Sequence, residues 1–215
     1  MAPVSSVICE ICKDNEVIFI DECTVLPISK KDIDYKVDGL DRSGWLFQQF
    51  LKWSGESFTE MSDYLVLDSD TVFIRDQVFE YSNKIVMDCA DEYHKPYFEF
   101  IKRTFGFEVK FPLSFTSHHI LIRKSYIHEM KLFLENKYKC AWYFAIISQI
   151  DRSLPSAVSD YDNYGQFIYK YHRSEVCLEY WGNESFSRRD IERLGELKKM
   201  FSKVRKSLSF HSYSK

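Results

Sequence analysis

Glycine and proline are scarce in this 215-residue sequence, with 7 and 5 residues respectively, so few positions suit long flexible linkers. No apolar run approaches the roughly 18 residues of a membrane-spanning helix, and the first ten residues lack the basic segment of a secretion signal. The 29 basic and 32 acidic residues give a net charge of −3, which excludes a general electrostatic attraction to nucleic acid. We therefore expect a cytoplasmic protein, soluble or peripheral on the inner face of the membrane, that binds no nucleic acid.

The six cysteines are scattered over the chain, which is weak evidence for a disulfide framework at this length. Cys9 and Cys12 form a CxxC pair, but no second pair of cysteines or histidines follows at the spacing of a zinc site. We interpret the cysteines as reduced thiols, in keeping with a cytoplasmic location.

Hydrophobic residues make up 45% of the chain and charged residues 28%, a composition typical of one globular domain. Apolar β-branched runs alternate with stretches of helical periodicity, and this order predicts an α/β fold. We expect strands at residues 17–20, 64–67, 84–87, 116–122 and 176–180. Helices are expected from residue 43 onward and over residues 97–104, 125–136, 141–150 and 162–171.

The last part of the chain, residues 187–215, differs in charge from the rest. It holds nine basic and three acidic residues, a net +6, so the −3 of the whole chain leaves −9 for residues 1–186. Its apolar residues recur every three or four positions; they are Ile191, Leu194, Leu197, Phe201, Val204 and Leu208. The pattern predicts a basic amphipathic helix that lies on an anionic membrane surface or docks on the domain with its charged side in solvent. We accordingly divide the chain into a domain, 1–186, and a tail, 187–215.

The strand expected at residues 64–67 ends in Asp68-Ser69-Asp70, the most informative segment of the sequence. Side chains at i and i+2 of an extended chain point the same way, so Asp68 and Asp70 are placed to face one divalent cation. Carboxylate oxygens suit Mg²⁺ or Mn²⁺, which would hold the oxygens of a diphosphate. The alternative is a structural role, in which the two acids cap the strand or the following turn.

This D-x-D segment resembles motifs of two enzyme families. It resembles the DxD element of GT-A glycosyltransferases, whose acids contact a metal and a nucleotide sugar. It also resembles the DxDxT start of haloacid dehalogenase-like phosphatases, in which Asp68 would be the nucleophile and Asp70 a general acid. The phosphatase motif lies on a first strand, whereas Asp68 follows an expected strand and an expected helix. The order of segments therefore favours the glycosyltransferase.

Three further segments resemble one group of bacterial GT-A-like glycosyltransferases of surface-polysaccharide pathways. Residues 44–52 are similar to its GWxxQQxLK helix, residues 117–119 to its S/T-H-H stretch and residues 159–165 to its SEYExYG motif. The resemblance implies a GT-A-like single domain with a mainly parallel mixed sheet flanked by helices. It also implies a nucleotide-sugar donor, a glycan or lipid-linked acceptor, and Mn²⁺ or Mg²⁺.

The chain departs from that group in two ways. The acids of its last motif are Asp160 and Asp162 where the group carries Glu, which shortens each side chain by one methylene. The first strand and helix of the GT-A fold are missing, since residues 17–20 look like its second strand. We therefore expect a domain that is shortened at its N-terminus.

The resemblance also implies roles for individual residues. Asp70 would be the direct metal ligand, and Asp68 would contact the ribose or the metal. Lys52 would reach a phosphate, unless it is a surface lysine. Gln48 and Gln49 would hydrogen-bond the donor or cap a neighbouring backbone.

The remaining site candidates each have a rival role. Trp45 is a core residue or a platform for a sugar ring. If the enzyme inverts configuration, Asp160 or Asp162 would be the general base for the acceptor hydroxyl, whereas the rival role of both is to cap a helix. His118 and His119 would point to opposite faces of a strand, so that at most one contacts the donor or acceptor.

The sequence thus predicts a metal-dependent glycosyltransferase that moves a sugar from a nucleotide sugar to a glycan or lipid-linked acceptor in polysaccharide or glycoconjugate synthesis. Two alternatives stay open. One is a haloacid dehalogenase-like phosphatase that uses Asp68. The other is a degenerate, non-catalytic glycosyltransferase-like binding protein, which the short N-terminus suggests.

Overall fold

A computed structural model describes residues 1–109 and 113–212, and over these residues the chain forms a single α/β domain, as its sequence predicts. The helices are α1 (Ser6–Asp14), α2 (Lys30–Ile33), α3 (Ser43–Trp53), α4 (Lys95–Phe105), α5 (Lys124–Tyr138), α6 (Trp142–Ser148), α7 (Asp160–Tyr171) and α8 (Leu194–Phe201). The strands are β1 (Lys36–Val37), β2 (Leu40–Asp41), β3 (Asp63–Leu67), β4 (Thr71–Phe73), β5 (Glu80–Tyr81), β6 (Lys84–Cys89), β7 (His119–Arg123), β8 (Val176–Tyr180), β9 (Asn183–Ser187) and β10 (Ser207–His211).

The described strands form four small sheets, with the orders β1-β2, β3-β7, β5-β6-β8 and β4-β10-β9. Only the β6–β8 and β9–β10 pairs among them are parallel, so the expectation of a mainly parallel sheet is wrong. An apolar run predicts a strand but carries no information about the direction of its neighbour. The antiparallel pairing of β3 with β7 sets the end of β3 beside the start of β7, where the Asp68 amide donates to the His118 carbonyl at 2.9 Å.

Helix α3 is the central support of the site, and its apolar residues lie at helical spacing. Its buried hydrophobic residues are Leu46, Phe47, Phe50, Leu51 and Trp53, all in the main core. Burying one such side chain contributes about 1.5–3 kcal/mol to folding. Because α3 packs against α7, its polar residues Gln49 and Lys52 lie next to the N-terminus of α7, with which both form hydrogen bonds.

Residues 17–20 do not form the expected buried strand. They lie in an irregular segment in which Val17 is 57% exposed and Ile18 84% exposed. A parallel bridge between Ala2 and Asp21 ties down the end of this segment. Four apolar residues without a neighbouring sheet edge cannot satisfy their backbone groups as a strand, and this is why the local pattern misleads.

Residues 187–212 do not form one long helix either, and the last three residues of the expected tail, 213–215, lie outside the described residues. Arg188–Arg193 is a 3₁₀ helix, α8 follows it, and β10 lies between β4 and β9. Strand β10 forms one sheet with β4 and β9. The expected boundary at residue 186 therefore does not divide the described residues into two separate units. Leu208 and Phe210 alternate with serines, a period of two that indicates a strand.

The apolar stripe of this segment is mostly packed inward. Leu197 and Leu208 are buried in a second small core, with Leu194 and Phe201 packed against it, while Ile191 and Val204 stay exposed. The docked arrangement is therefore the one that the fold adopts, and attraction of the basic side chains to a membrane stays a prediction. Across residues 1–109 and 113–212, no helix has the length and apolar character needed to cross a bilayer.

Candidate functional site

A cavity of ≈ 300 Å³ lies at the end of β3, between α3, the turn before β7 and the N-terminus of α7. Eight of the ten residues that the sequence singles out line it: Trp45, Gln48, Gln49, Lys52, Asp68, Asp70, His118 and Asp160. Residues to which the sequence assigned no role also line it, among them Glu92, Tyr97, Tyr161 and His211. Asp162 and His119 lie behind its walls. We call this cavity the acidic pocket.

The Lys52 ammonium holds the acidic pocket together. Its Nζ atom lies 2.7 Å from Asp68, 3.1 Å from Asp160 and 3.1 Å from the Tyr161 hydroxyl. Burial alone would lower the pKa of Lys52, but the charges of Asp160 and Asp68 outweigh it and raise that pKa. An ammonium has three hydrogens to donate, and Lys52 has three acceptors here. Lys52 is therefore a cross-link between α3, the turn after β3 and α7, with no donor left for a phosphate.

Asp68 is the most strongly bonded acid of the pocket. One carboxylate oxygen of Asp68 contacts Lys52, and the other lies 3.5 Å from Nδ1 of His118. Burial opposes ionisation of Asp68, but the hydrogen bond from His118 and the charge of Lys52 outweigh that effect and hold its pKa below the usual range. The Asp68 carboxylate is thus ionised and held by cations of the chain itself.

His118 bridges two acids. Besides Asp68 it contacts Glu92, with Nε2 3.1 Å from the Glu92 carboxylate. Burial would lower the pKa of His118, but hydrogen bonds to Asp68 and Glu92 raise it to about 9, so the ring is an imidazolium at neutral pH. Its backbone φ is 63°, a left-handed conformation that is uncommon for residues other than glycine. This turn lets His118 face the pocket while its neighbour enters β7.

His119 lies away from the pocket, but strand alternation is not the reason, because β7 begins at His119 and His118 lies in the turn before it. Its Nε2 lies 2.9 Å from Asp88, its Nδ1 lies 2.8 Å from the Ser117 carbonyl, and its ring packs against Trp181 at 3.9 Å between centroids. Burial raises the pKa of Asp88. His119 is therefore part of a buried pair with Asp88 and does not line the acidic pocket.

Asp70 has a histidine partner of its own. Nδ1 of His211 lies 2.9 Å from the Asp70 carboxylate, and the Phe210 amide donates to the Asp70 carbonyl at 2.8 Å. Strand β10 thus brings residue 211 to an acid at residue 70. The Ser-Leu-Ser-Phe-His alternation of β10 is the sequence signal that would have found it.

The two acids of α7 separate into different roles. Ser159 caps the helix, since its hydroxyl accepts from the Asp162 amide at 3.1 Å. The Asp162 carboxylate accepts from the Phe115 amide at 2.8 Å and from Thr116 at 3.1 Å, and burial raises its pKa to about 6. Asp162 therefore ties the preceding loop to α7. Asp160 alone reaches the pocket, where burial raises its pKa although Lys52 opposes the rise.

One buried amide in the wall is left without a partner. The Gln49 side-chain oxygen accepts from the Asp160 amide at 2.8 Å, which fixes the orientation of the group, and its Nε2 has no hydrogen-bond acceptor among the described residues. A buried, unpaired donor is costly, by about 1–3 kcal/mol. Nearby, Trp45 is partly buried and carries the Arg42 guanidinium 4.3 Å above its ring. Gln49 thus leaves one buried hydrogen-bond donor unpaired in the wall of the pocket.

The expected metal site is not formed by these residues as they are placed. In the part of the chain that the structure describes, no three His, Cys, Asp or Glu side chains are arranged to share a metal ion. Both oxygens of Asp68 face positively charged groups, Lys52 and His118, and a divalent cation beside them would be repelled. The donor set therefore does not fit Mn²⁺ or Mg²⁺ without rearrangement.

The chain matches no protein-family model, no curated protein and no solved structure.

Proposed function

We propose that the protein is a GT-A-like glycosyltransferase, which transfers a sugar from a nucleotide sugar to a glycan or lipid-linked acceptor in the acidic pocket. The observation that carries this proposal is the convergence of the D-x-D acids, the α3 polar residues and the N-terminus of α7 on one cavity. Three separate motifs of the resemblance contribute side chains to that cavity. Motifs that matched by chance would have no reason to meet in space.

The groups left free in the pocket suit sugar hydroxyls. Gln49 offers an unpaired amide donor, and Asp70 and Glu92 each keep one carboxylate oxygen without a partner among the described residues. Trp45 adds an apolar ring face in the wall. Hydroxyl groups both donate and accept, so a sugar can satisfy all of these groups at once.

The charge of the pocket argues against a ligand bound through its phosphates alone. Asp68, Asp70, Glu92 and Asp160 supply four carboxylates, against the Lys52 ammonium and one imidazolium. Both cations already contact carboxylates. A bare phosphate would meet an excess of negative charge, whereas a neutral saccharide would not. The sugar, more than the diphosphate, is therefore the part of a donor that this chain recognises here.

The phosphatase alternative is weakened by the surroundings of Asp68. A phosphatase needs Asp68 as a nucleophile with cations free to hold the transferred phosphoryl group. In the pocket Asp68 accepts from Lys52 and His118, and its pKa is held below the usual range. A carboxylate whose electron pairs are engaged in this way is a poor nucleophile.

Asp160 is the group we assign as general base. It lines the pocket, and burial raises the pKa of its carboxyl, which strengthens it as an acceptor of the hydroxyl proton. Lys52 at 3.1 Å opposes that rise and favours the ionised form of the carboxylate. In the proposed reaction the acceptor hydroxyl gives its proton to Asp160 while its oxygen forms the bond to the sugar, and the nucleotide leaves with the bonding electrons.

A second candidate, a non-catalytic carbohydrate-binding protein, is favoured by one observation. Lys52 has all its donors engaged, so that the described pocket holds no group ready to neutralise a leaving diphosphate. Such a protein would use the same sugar-binding groups without transfer. Binding with no turnover is its expected signature.

The test is release of nucleoside diphosphate from a panel of sugar nucleotides, measured with and without Mn²⁺, together with calorimetric binding of the same compounds. We expect one donor to bind and to be consumed by the wild type, and Asp70→Ala to abolish both. Asp76→Ala, which removes an exposed acid outside the acidic pocket, is the matched control. Binding without release would support the second candidate, and a chain that binds no sugar nucleotide at all would refute the transferase.

A further inference from the structure

The acidic pocket carries more negative than positive charge, however its histidines are counted. Its lining carboxylates are Asp68, Asp70, Glu92 and Asp160, and the lining side chains that can be positive are Lys52, His118 and His211. Four carboxylates against these groups give a net charge of −1 with both histidines protonated and −3 with neither. Opposite charges attract more strongly in a partly enclosed site than in water. The pocket therefore favours a ligand that brings a positive charge.

Two of these acids keep an oxygen that a ligand can reach. Glu92 contacts His118 through one carboxylate oxygen, and Asp70 contacts His211 through one of its own. The second oxygen of each has no hydrogen-bond partner among the described residues. The Glu92 side chain is 47% exposed and that of Asp70 26%, against 7% for Asp160. A new cation therefore finds Glu92 and Asp70 accessible, whereas Asp160 is enclosed and bound to a lysine of the chain itself.

Glu92 and Asp70 border one pair of histidine rings. The His118 and His211 rings lie 5.4 Å apart between centroids, and each acid contacts one of them. The two carboxylates thus lie in one region of the pocket wall and add their fields there. An anionic group at this point would be repelled by both acids, and a neutral hydroxyl would gain no charge interaction. An ammonium, which has three hydrogens to donate, is the group that suits two carboxylate oxygens.

A separate feature of the wall indicates that the ligand also carries oxygen acceptors. Gln49 is 3% exposed and lines the pocket. Its side-chain oxygen accepts from the Asp160 amide, which leaves its Nε2 as a buried donor without an acceptor among the described residues. A metal ion or a simple alkylamine has no acceptor to offer this donor, whereas a sugar hydroxyl or ring oxygen has one. The ligand that satisfies both features is an amine with several hydroxyl groups, and the cavity of ≈ 300 Å³ has the size of a small-ligand site.

We propose that the acidic pocket selects a sugar with a free amino group, whose ammonium contacts Glu92 and Asp70 and whose oxygens accept from Gln49. This inference rests on the proposed function and names the class of sugar for the same site. The excess of carboxylates and the unpaired Gln49 donor carry it together. The sugar bound here is then an amino sugar, not its hydroxyl or N-acetylated counterpart.

The experiment measures binding of monosaccharides to the full chain by calorimetry. Glucosamine, galactosamine and mannosamine are compared with their hydroxyl parents and with their N-acetylated forms, which keep the ring and lack the charge. At about pH 6.5 a sugar amine, like an α-amino group, is mostly protonated. One ion pair at a partly exposed site strengthens binding by up to about fivefold, and two by up to about twenty-five-fold. We expect at least one amino sugar to bind more tightly than both of its neutral forms by a factor in this range.

Two variants test the named acids. Glu92→Gln and Asp70→Asn each remove one charge and keep the size of the side chain. Each should lower the ratio of amino-sugar to neutral-sugar affinity by up to about fivefold. Asp91→Asn is the matched control, since Asp91 is the exposed neighbour of Glu92 and does not line the pocket. Its ratio should stay that of the wild type, and melting of the three variants checks that each is folded.

The possible results separate this proposal from the proposed function. If amino and neutral sugars bind alike, the amino-sugar assignment is overturned and the proposed function survives. A preference that persists in both Glu92→Gln and Asp70→Asn, or that falls equally in Asp91→Asn, places the ammonium elsewhere and also overturns the assignment. If none of the monosaccharides binds, the assignment is overturned too, and the panel of sugar nucleotides alone then decides the proposed function.

Discussion

Replacing Lys52 by methionine tests the central contact of the acidic pocket. The substitution keeps an unbranched side chain of similar length and removes the ammonium that lies between Asp68 and Asp160. Asp68 retains His118 as a cationic partner, so the uncompensated charge falls mainly on Asp160. Breaking a buried ion pair from one side costs about 3–5 kcal/mol. We expect a loss of unfolding free energy near the lower end of that range, since one of the two acids keeps a partner.

The sign of the pH dependence follows from Asp160. Burial already raises the pKa of Asp160 and Lys52 opposes that rise, so removing Lys52 raises it further. A carboxyl with a raised pKa in the folded state destabilises the fold above that pKa, and the fold recovers as the pH falls toward the unfolded value of about 4. The wild type behaves in the opposite way through Asp68, whose lowered pKa gives stability that is lost in acid. The difference in unfolding free energy between the variant and the wild type should therefore become smaller as the pH falls.

Urea denaturation of both proteins at pH 7 and pH 5 measures this difference. The double variant Lys52→Met with Asp160→Asn removes both charges and should regain most of the loss. Lys95→Met is the control, because the Lys95–Glu99 ion pair is exposed at 3.3 Å and such pairs are worth less than about 1 kcal/mol. If Lys52→Met loses less than about 1 kcal/mol of unfolding free energy, equally at both pH values, Lys52 is not the cross-link described here.

Three further predictions concern the acids, a histidine and the C-terminal segment. Asp160→Asn should lose turnover with little change in donor affinity, as steady-state kinetics will show. Asp162→Asn should mainly lose about 1–3 kcal/mol of unfolding free energy, as melting of the variant will show. His118 has a pKa raised to about 9, so its stabilisation should be complete below about pH 6.5 and lost between pH 6.5 and 9. His118→Gln should abolish that loss in denaturation at graded pH. Leu197 is buried in the docked C-terminal segment, so attraction to a membrane would depend on the basic side chains. The full chain should therefore bind anionic liposomes only at low salt, where charges are least screened. Sedimentation with the liposomes at physiological salt would contradict the docked segment.

Much of the fold could be predicted from local patterns. Helix α3 begins at Ser43, where the apolar spacing places it, and β8 covers residues 176–180 as expected. Those patterns report which residues are buried, but not which strands pair or in which direction. The antiparallel partner of β3 and the strand at residues 207–211 depend on contacts between segments far apart in sequence.

Part of the candidate site could also be predicted from local patterns, whereas the part that depends on long-range contacts could not. Motif residues on α3, directly after β3 and at the start of α7 meet in one cavity, because each motif lies on or beside a recognisable local element. Glu92 and His211 lie in no motif, and only the fold brings them to His118 and Asp70. Asp160 and Asp162 look alike in sequence, but the helix turns one toward the pocket and the other toward the preceding loop.

The charges of the site have to be satisfied before any ligand arrives. Asp68, Asp70 and Asp160 come from segments that would repel one another if they met without partners. The chain provides partners for all three, since Lys52 joins Asp68 to Asp160, His118 supports Asp68 from the other side, and His211 lies beside Asp70. These contacts stabilise the fold and also use up the donors that a phosphate would need. A ligand that binds through hydroxyl groups adds to this network, whereas an anionic ligand has to break it.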